Sequence, residues 1–199
     1  ATWFFLSQTP TAMNLHSTDS QLQQLLRTYG ALQPLAWQKI NELKQQQILK
    51  THQNFIRKEG AIAYLANGLL KECDAQYRNN PAIINFISLN QCVVTRKHNQ
   101  THYLKACMPC TIYYWDFEQL HLLYQEFKEL KQIYDSLCAN YDAAIAFRLF
   151  VLEHASAPKR IELFRQNFKN LLPYLKKKDI ANYLQLNYTH FLHTNNKLP

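Results

Sequence analysis

Between residues 54 and 115 the chain is cut into short apolar runs, each closed by turn residues. The runs are Asn54–Arg57, Ile62–Leu70, Ile83–Leu89, Cys92–Thr95, His102–Cys107 and Thr111–Trp115, rich in Ile, Val, Tyr and Phe. Glu59-Gly60, Asn67-Gly68, Asn79-Asn80-Pro81, His98-Asn99-Gln100 and Met108-Pro109 punctuate them. β-Branched and aromatic side chains suit a pleated, half-buried surface. Strands at roughly ten-residue spacing predict an antiparallel sandwich or barrel.

The flanks follow a helical period instead. Residues 1–17, with Pro10, show none and read as a loosely attached arm. Ser17-Thr18-Asp19-Ser20 offers N-cap candidates; Leu22, Leu25, Leu26 and Tyr29 follow at helical spacing, and Gly30 closes the run. Leu35, Ile40, Leu43 and Ile48 predict a second helix that begins near Pro34. Asp116 predicts a cap for a helix over 117–127. Then Ile133, Leu137, Asn140, Ala144, Phe147, Val151 and His154 recur by alternating fours and threes. Such a seam fits a helix packed on its own barrel or a dimer helix, with Asn140 setting register.

Charge separates the two ends of the chain. Its 199 residues hold 22 Lys+Arg against 14 Asp+Glu, a net +8. Residues 156–199 carry eight of the bases and two acids, Glu162 and Asp179, so +6 of the total lies there. A basic end of that kind points to a polyanion. Short helices over about 158–171, 178–185 and 188–197 fit the same stretch, the last two in helix-turn-helix order. Only 3 glycines argue against a glycine-rich phosphate loop. No apolar run approaches the ~18 residues of a membrane helix. Trp3-Phe4-Phe5-Leu6 is too short for a signal-peptide core and lacks a basic flank, so a cytoplasmic location without membrane contact is expected. The 5 cysteines, at 73, 92, 107, 110 and 138, form no regular framework and read as reduced thiols.

Two stretches carry a resemblance. One is Arg160-Ile161-Glu162-Leu163-Phe164, continued by Leu171-Leu172-Pro173-Tyr174-Leu175-Lys176-Lys177-Lys178-Asp179-Ile180-Ala181-Asn182-Tyr183-Leu184. The other is Arg57-Lys58-Glu59-Gly60, with Leu65 and Asn67-Gly68-Leu69-Leu70. With the element order, they resemble the Crp/Fnr family of transcription regulators from about residue 20 to the end. The resemblance implies an α+β chain. An N-terminal arm and helix (1–33) precedes a cyclic-nucleotide-binding-like antiparallel β-barrel of the double-stranded β-helix or jelly-roll kind (34–127). A dimerisation helix (128–155) and a helix-turn-helix, winged-helix-like DNA-binding domain (156–199) follow. It further implies a homodimer joined through Ile133, Leu137, Asn140, Ala144, Phe147 and Val151. DNA, RNA polymerase and a small-molecule effector are the implied partners.

The departures are specific. Asn90 and Gln91 stand where cyclic-nucleotide-binding members carry Gly-Glu, and Gln100-Thr101 where they carry Arg-Ser or Arg-Thr. Losing that arginine removes the fork that would pair with a cyclic phosphate. A cyclic nucleotide is therefore not expected; Gln91, Arg96, Gln100 and Thr101 are the candidate effector contacts, with Lys97 and His98 nearby. In the last helix Thr189 and His193 replace the family's base-reading Glu and Arg, and Gln185 replaces a turn glycine. The candidate DNA contacts are Lys176, Lys177, Lys178, Asn187, Thr189, His190, His193, Asn195 and Lys197. A member that has lost ligand and base reading, and acts as a scaffold, is the alternative.

Catalysis and cofactors find no support. Cys107-Met108-Pro109-Cys110 has redox spacing but no second pair for a metal site, and no cysteine precedes Cys73 to hold a Fnr-type cluster. His98 and His102 share a turn segment where that spacing does not converge on a metal. Gly-x-Ser-x-Gly, a Walker loop and His-Glu-x-x-His are all missing from the sequence. No catalytic residue, metal or cofactor is expected.

Overall fold

A computed structural model describes residues 13–76 and 79–198. Helices α1 (Met13–Tyr29) and α2 (Pro34–Leu43) precede eight strands. These are β1 (Gln45–Leu49), β2 (Asn54–Phe55), β3 (Ile62–Asn67), β4 (Leu70–Asp74), β5 (Ala82–Ile87), β6 (Cys92–Val94), β7 (Tyr103–Ala106) and β8 (Cys110–Trp115). Then come α3 (Phe117–Glu126), α4 (Leu130–Glu153), α5 (Ala157–Asn167), a 3₁₀ turn (Leu172–Tyr174), α6 (Lys177–Tyr183) and α7 (Tyr188–Lys197).

The strands form two antiparallel sheets, ordered β1-β8-β3-β6 and β2-β7-β4-β5. The first strand pairs with the last and the second with the next to last, the nested order of a double-sheet jelly roll. The expected barrel of the jelly-roll kind is not closed into one sheet: each of the two sheets keeps two open edges among the described residues. Gly68 makes the β3–β4 turn at φ +103°, and a Cβ there would stand 2.6 Å from the Pro109 carbonyl oxygen. Only glycine suits both conditions.

Three apolar cores separate four layers. α1, α2, α3 and the first half of α4 cover Ile62, Tyr64, Tyr113 and Trp115 on one face of the first sheet. Leu65, Leu70, Ile87, Leu104 and Ile112 fill the space between the sheets. On the outer face of the second sheet, Cys73, Ile83 and Phe86 pack with Val151, Phe164, Phe168, Tyr183 and Phe191 of the C-terminal helices. Strand β5 is therefore buried along its whole length, which explains its uninterrupted apolar run. Its open edge is met by α6: the Asn182 side chain accepts from Ile83 N–H at 2.7 Å and donates to the Pro81 carbonyl at 3.0 Å. An exposed strand edge invites foreign pairing, and this amide covers it.

Four local expectations are corrected. The proposed arm over 1–17 lies outside the described residues through residue 12; from Met13 the chain is already helical, so Ser17–Ser20 fall inside α1. The second helix stops at Leu43, and 45–49 pairs with β8 instead. Leu35 and Ile48 are exposed, while Ala36 and Ile40 face the core. The Gln-rich segment has no strong preference of its own, and the unpaired edge of β8 decides it. The run Ile62–Leu70 divides into β3 and the start of β4. No strand follows Trp115 among the described residues. Asp116 does begin α3, and its N–H donates to Gln119 Oε1 at 2.9 Å.

Phe86 is 2% exposed and meets Phe164, Phe168 and Tyr183 at ring distances of 5.5 to 5.9 Å. Phe86→Ala should lower stability by about 3–5 kcal/mol, read from the guanidinium unfolding midpoint. A loss under about 1 kcal/mol would mean that the C-terminal helices do not depend on this ring.

Candidate functional site

The C-terminal helices place most of the candidate DNA contacts on open surface. Lys176, Lys177 and Lys178 are exposed at the start of α6, and Thr189, His190, His193 and Lys197 are exposed on α7. Phe191 and Thr194 face inward, so α7 presents one polar face and buries the other. Two residues of the expected set are already engaged. The Asn187 side chain caps α7, accepting from Thr189 and His190 N–H at 3.0 and 3.4 Å. Asn195 offers its carbonyl and side-chain oxygens to Arg165 Nη2 at 2.9 and 3.2 Å. Their role is to shape the helix rather than to project from it.

The turn between α6 and α7 has an identifiable construction. Leu186 N–H reaches back to Ala181 O at 2.9 Å and Gln185 N–H to Asn182 O at 3.0 Å. That pair of bonds is a Schellman motif, which places a left-handed residue just after the helix. Here that residue is Gln185, at φ +52°. Two arginines bind the end of α6 to α4. Arg148 Nε donates to Tyr183 O at 3.1 Å, and its guanidinium lies over the Tyr183 ring at 5.5 Å. Arg160 donates to the carbonyls of Leu152, His154 and Leu184. Cations at a helix C-terminus satisfy its open carbonyls and complement its dipole. The seam period marked position 148 only as outside the heptad and passed over this role.

A second feature lies where α4 crosses the sheets. A cavity of about 370 Å³ is lined by Asn85 and Ile87 of β5, Asn90, Gln91 and Cys92, Tyr29 of α1, and Leu137, Asn140, Tyr141 and Ala144 of α4. Its polar side chains are amides, phenols and the Cys92 thiol; among the described residues no Asp, Glu, Lys, Arg or His lines it. Asn90, in the family's glycine place, holds φ +65°, and its Oδ1 accepts from the Tyr64 hydroxyl at 2.6 Å. Of the candidate effector contacts only Gln91 lines this cavity. Gln100 and Thr101 are exposed in the β6–β7 loop, and Arg96 is paired with Asp142 of α4.

Behind the cavity sits a buried ionic network that the sequence did not single out. Arg57 and Glu72 are paired with both side chains out of water. Arg57 also donates to Thr95 Oγ1 at 3.0 Å and Val94 O at 2.9 Å. The Tyr141 hydroxyl donates to Glu72, and His102 Nδ1 lies 3.3 Å from the same oxygen. Burial pushes the Glu72 carboxyl up; the His102 hydrogen bond, the Arg57 charge and the Tyr141 hydroxyl outweigh it, and the group sits below its ordinary value.

The seam of α4 is divided. Ile133 and Leu137 belong to the helical core around the first sheet, and Val151, with Phe147 against it, to the C-terminal core. Those side chains are used within this chain, because α4 is flanked by α1 on one side and α5 on the other. Asn140 is exposed and Ala144 half-buried. The outward stripe is instead Ala139, Ala143, Ala146 and Phe150, with Leu149 beside it. The thiols are poor nucleophiles. Burial pushes Cys107 up to about 12 and raises Cys110, whose Sγ–H points at the carbonyls of Leu69 and Met108. Among the described residues no cluster of His, Cys, Asp or Glu could hold a metal ion, and no helix is long and apolar enough to cross a membrane.

Solved structures match this arrangement over most of the chain. FixK2 from Bradyrhizobium japonicum superposes with a TM-score of 0.68 at 10% identity, over 78% of this chain and 84% of its own. A putative crp/fnr-family transcriptional regulator from Eubacterium rectale gives 0.65 at 12% identity, over 82% of each chain. The c-di-GMP-responsive global regulator CLP from Xanthomonas campestris gives 0.63 at 11% identity, over 83% of this chain and 91% of its own. The chain has the Crp/Fnr fold. No family model and no curated protein matches the sequence. The likeness is one of fold, at 10–12% sequence identity. The structural neighbours are transcription regulators rather than enzymes.

Two substitutions check this site. Tyr141→Phe removes a hydroxyl donor to a buried carboxylate and should cost about 1–3 kcal/mol in urea unfolding. Because the folded Glu72 value is depressed, its contribution is fully present above the ordinary value of 4.5 and is lost as pH falls through the lower folded value. Stability measured from pH 6 downward should drop in that window, and less steeply in Tyr141→Phe. Gln185→Gly should raise stability by about 0.5–1 kcal/mol by relieving the left-handed residue; a lowered thermal midpoint would mean that the Gln185 side chain is itself needed.

Proposed function

We propose that the protein is a DNA-binding transcription regulator of the Crp/Fnr type. The observation that carries this reading is the exposed polar face of α7 beside the exposed lysines at the start of α6, on a Crp/Fnr fold. In this reading residues 156–199 form a helix-turn-helix DNA-binding unit. Lys176, Lys177, Lys178 and Lys197 neutralise phosphates, and Thr189, His190 and His193 reach base edges. Residues 128–155 join two copies through the outward Ala139–Phe150 stripe, so that two α7 helices address half-sites about one helical turn apart. Residues 34–127 form the sensor, preceded by residues 1–33. The effector occupies the cavity between β5, β6 and α4. With amides, phenols and no cation there, it is an uncharged hydrogen-bonding molecule rather than a cyclic nucleotide. RNA polymerase is the onward partner, in the cytoplasm.

The test is selection of fragmented host DNA on the purified protein at about physiological salt, followed by sequencing. A two-fold-symmetric site should be enriched. Lys177→Ala should weaken binding to all sequences and reduce the slope of log affinity against log salt by about 0.9. His193→Ala should change the enriched sequence instead. Retention without enrichment, or an unchanged preference in His193→Ala, would count against base reading by α7.

A further inference from the structure

Three polar contacts prop a space open beneath the N-terminal helices. The Trp115 indole N–H donates to Ile40 O at 2.8 Å and joins β8 to α2. Gln119 Nε2 donates to Leu43 O at 3.0 Å and joins α3 to α2. The Ser136 hydroxyl donates to Tyr29 O at 3.5 Å and joins α4 to the end of α1. Within this frame lies an apolar chamber of about 50 Å³. Its wall is drawn from all four of these helices and from the first sheet, and Trp115, Leu123, Ile133 and Leu137 are among its buried members. Cys92, Tyr124 and Tyr134 are its half-buried members. Burial raises the Cys92 thiol to about 12 and holds both phenols above their ordinary value, so no group of the wall is charged at neutral pH.

We propose that this chamber is a binding site for a small apolar molecule, a gas or a short hydrocarbon. A water in such a space needs about two to four polar partners. Here the indole N–H is already spent on Ile40, and most of the wall is hydrocarbon. An apolar guest needs no polar partner, and it supplies the dispersion contacts that atoms facing a void lack. Volume sets its size: a cavity of about 150 Å³ takes benzene, so one of about a third that volume takes a guest of about two non-hydrogen atoms. The three props hold the wall apart before any guest arrives, as in most small-molecule sites. The chamber is separate from the cavity assigned above to the effector, although Cys92 and Leu137 line both. A guest would fill the space behind that partition and brace the first half of α4 against the sheet. A consequence for DNA binding rests on the reading above; the binding itself does not.

Xenon dissolved under pressure, with the full chain carrying labelled Ile and Leu methyl groups, tests the proposal by NMR. Saturable shifts are expected for Leu22, Leu123, Ile133 and Leu137, at the millimolar or weaker affinity open to so small a ligand. The methyls of Leu70, Leu104 and Ile112, between the two sheets, should stay in place. Leu123→Phe adds three carbons to the wall; it should weaken xenon binding at least about tenfold and, without xenon, melt at an equal or higher temperature. Leu120→Ala widens the chamber and should bind benzene more tightly than the native chain does. Absence of saturable shifts overturns the proposal, and so do shifts spread evenly over the three cores or native affinity in a folded Leu123→Phe. Should Leu123→Phe lose its fold, Leu120→Ala decides, and no gain in benzene affinity overturns the proposal. Failure to enrich any DNA site leaves these outcomes unaffected.

Discussion

Arg57 lies where several pieces of the molecule meet, and its guanidinium bonds to each. It pairs with Glu72 of the second sheet, donates to Thr95 and Val94 of the first, and lies 5.6 Å from the ring of Tyr141 on α4. Withdrawing two ions from water costs several kcal/mol apiece, and only close pairing with further hydrogen bonds offsets it. Tyr141 and His102 add hydrogen bonds on the carboxylate side, all of them at Glu72 Oε1, while the buried Oε2 has no hydrogen-bond partner among the described residues. A well-packed apolar pair could do as well energetically. A buried ion pair adds a penalty for other registers that an apolar pair carries to a lesser degree. Sliding either sheet, or rotating α4, would strand a charge in the interior, so the ionic pair defines how the layers are aligned.

Everything distal follows from where α4 is held. The helix has 24 residues and at its far end carries Arg148, whose Nε bonds the terminal carbonyl of α6. Arg160 then joins the ends of α4 and α6 to the start of α5. Phe86, Phe164, Phe168 and Tyr183 close the same corner with packed rings. The C-terminal helices therefore share a core with the second sheet rather than keeping one of their own. Moving them away would expose that aromatic cluster and uncover the edge of β5 at Asn182. Their position is a cooperative property of the whole stack, biased by anything that shifts α4.

The legible parts of the sequence were those in which local pattern and final environment agree. The short apolar runs became strands and Asp116 began α3, because turn and cap chemistry act within a few residues. Gln45–Leu49 was illegible as a strand: only the edge of β8, more than sixty residues later, makes it one. The α4 seam left two readings open for a related reason. A heptad pattern records that a face is buried, and a helix crossing two cores of its own chain writes the same pattern as one facing a partner. The Arg57–Glu72 pair lies 15 residues apart, Arg57 in the β2–β3 connection and Glu72 on β4, at a spacing that no period describes. Gln185 was different: a glycine position occupied by glutamine could be suspected from resemblance, and its left-handed φ shows why glycine suits it.

The uncharged cavity and the ionic network share Tyr141, and that sharing constrains how an effector could act. Tyr141 faces the cavity while its hydroxyl is committed to Glu72. Arg96 and Asp142 anchor the next residue of α4 to the β6–β7 loop. A ligand therefore meets a helix already held at two consecutive positions. It changes the helix only through a difference in affinity between two placements of α4. The amides on opposite walls, Asn85 and Asn90 against Asn140, are the groups whose separation depends on that placement. A molecule spanning them would favour one separation. One contacting a single wall would bind equally to both placements and shift nothing, however tightly it bound. For an effector bound as proposed, the response would depend on span across the cavity, and charge on the ligand would add a desolvation cost that no lining side chain offsets.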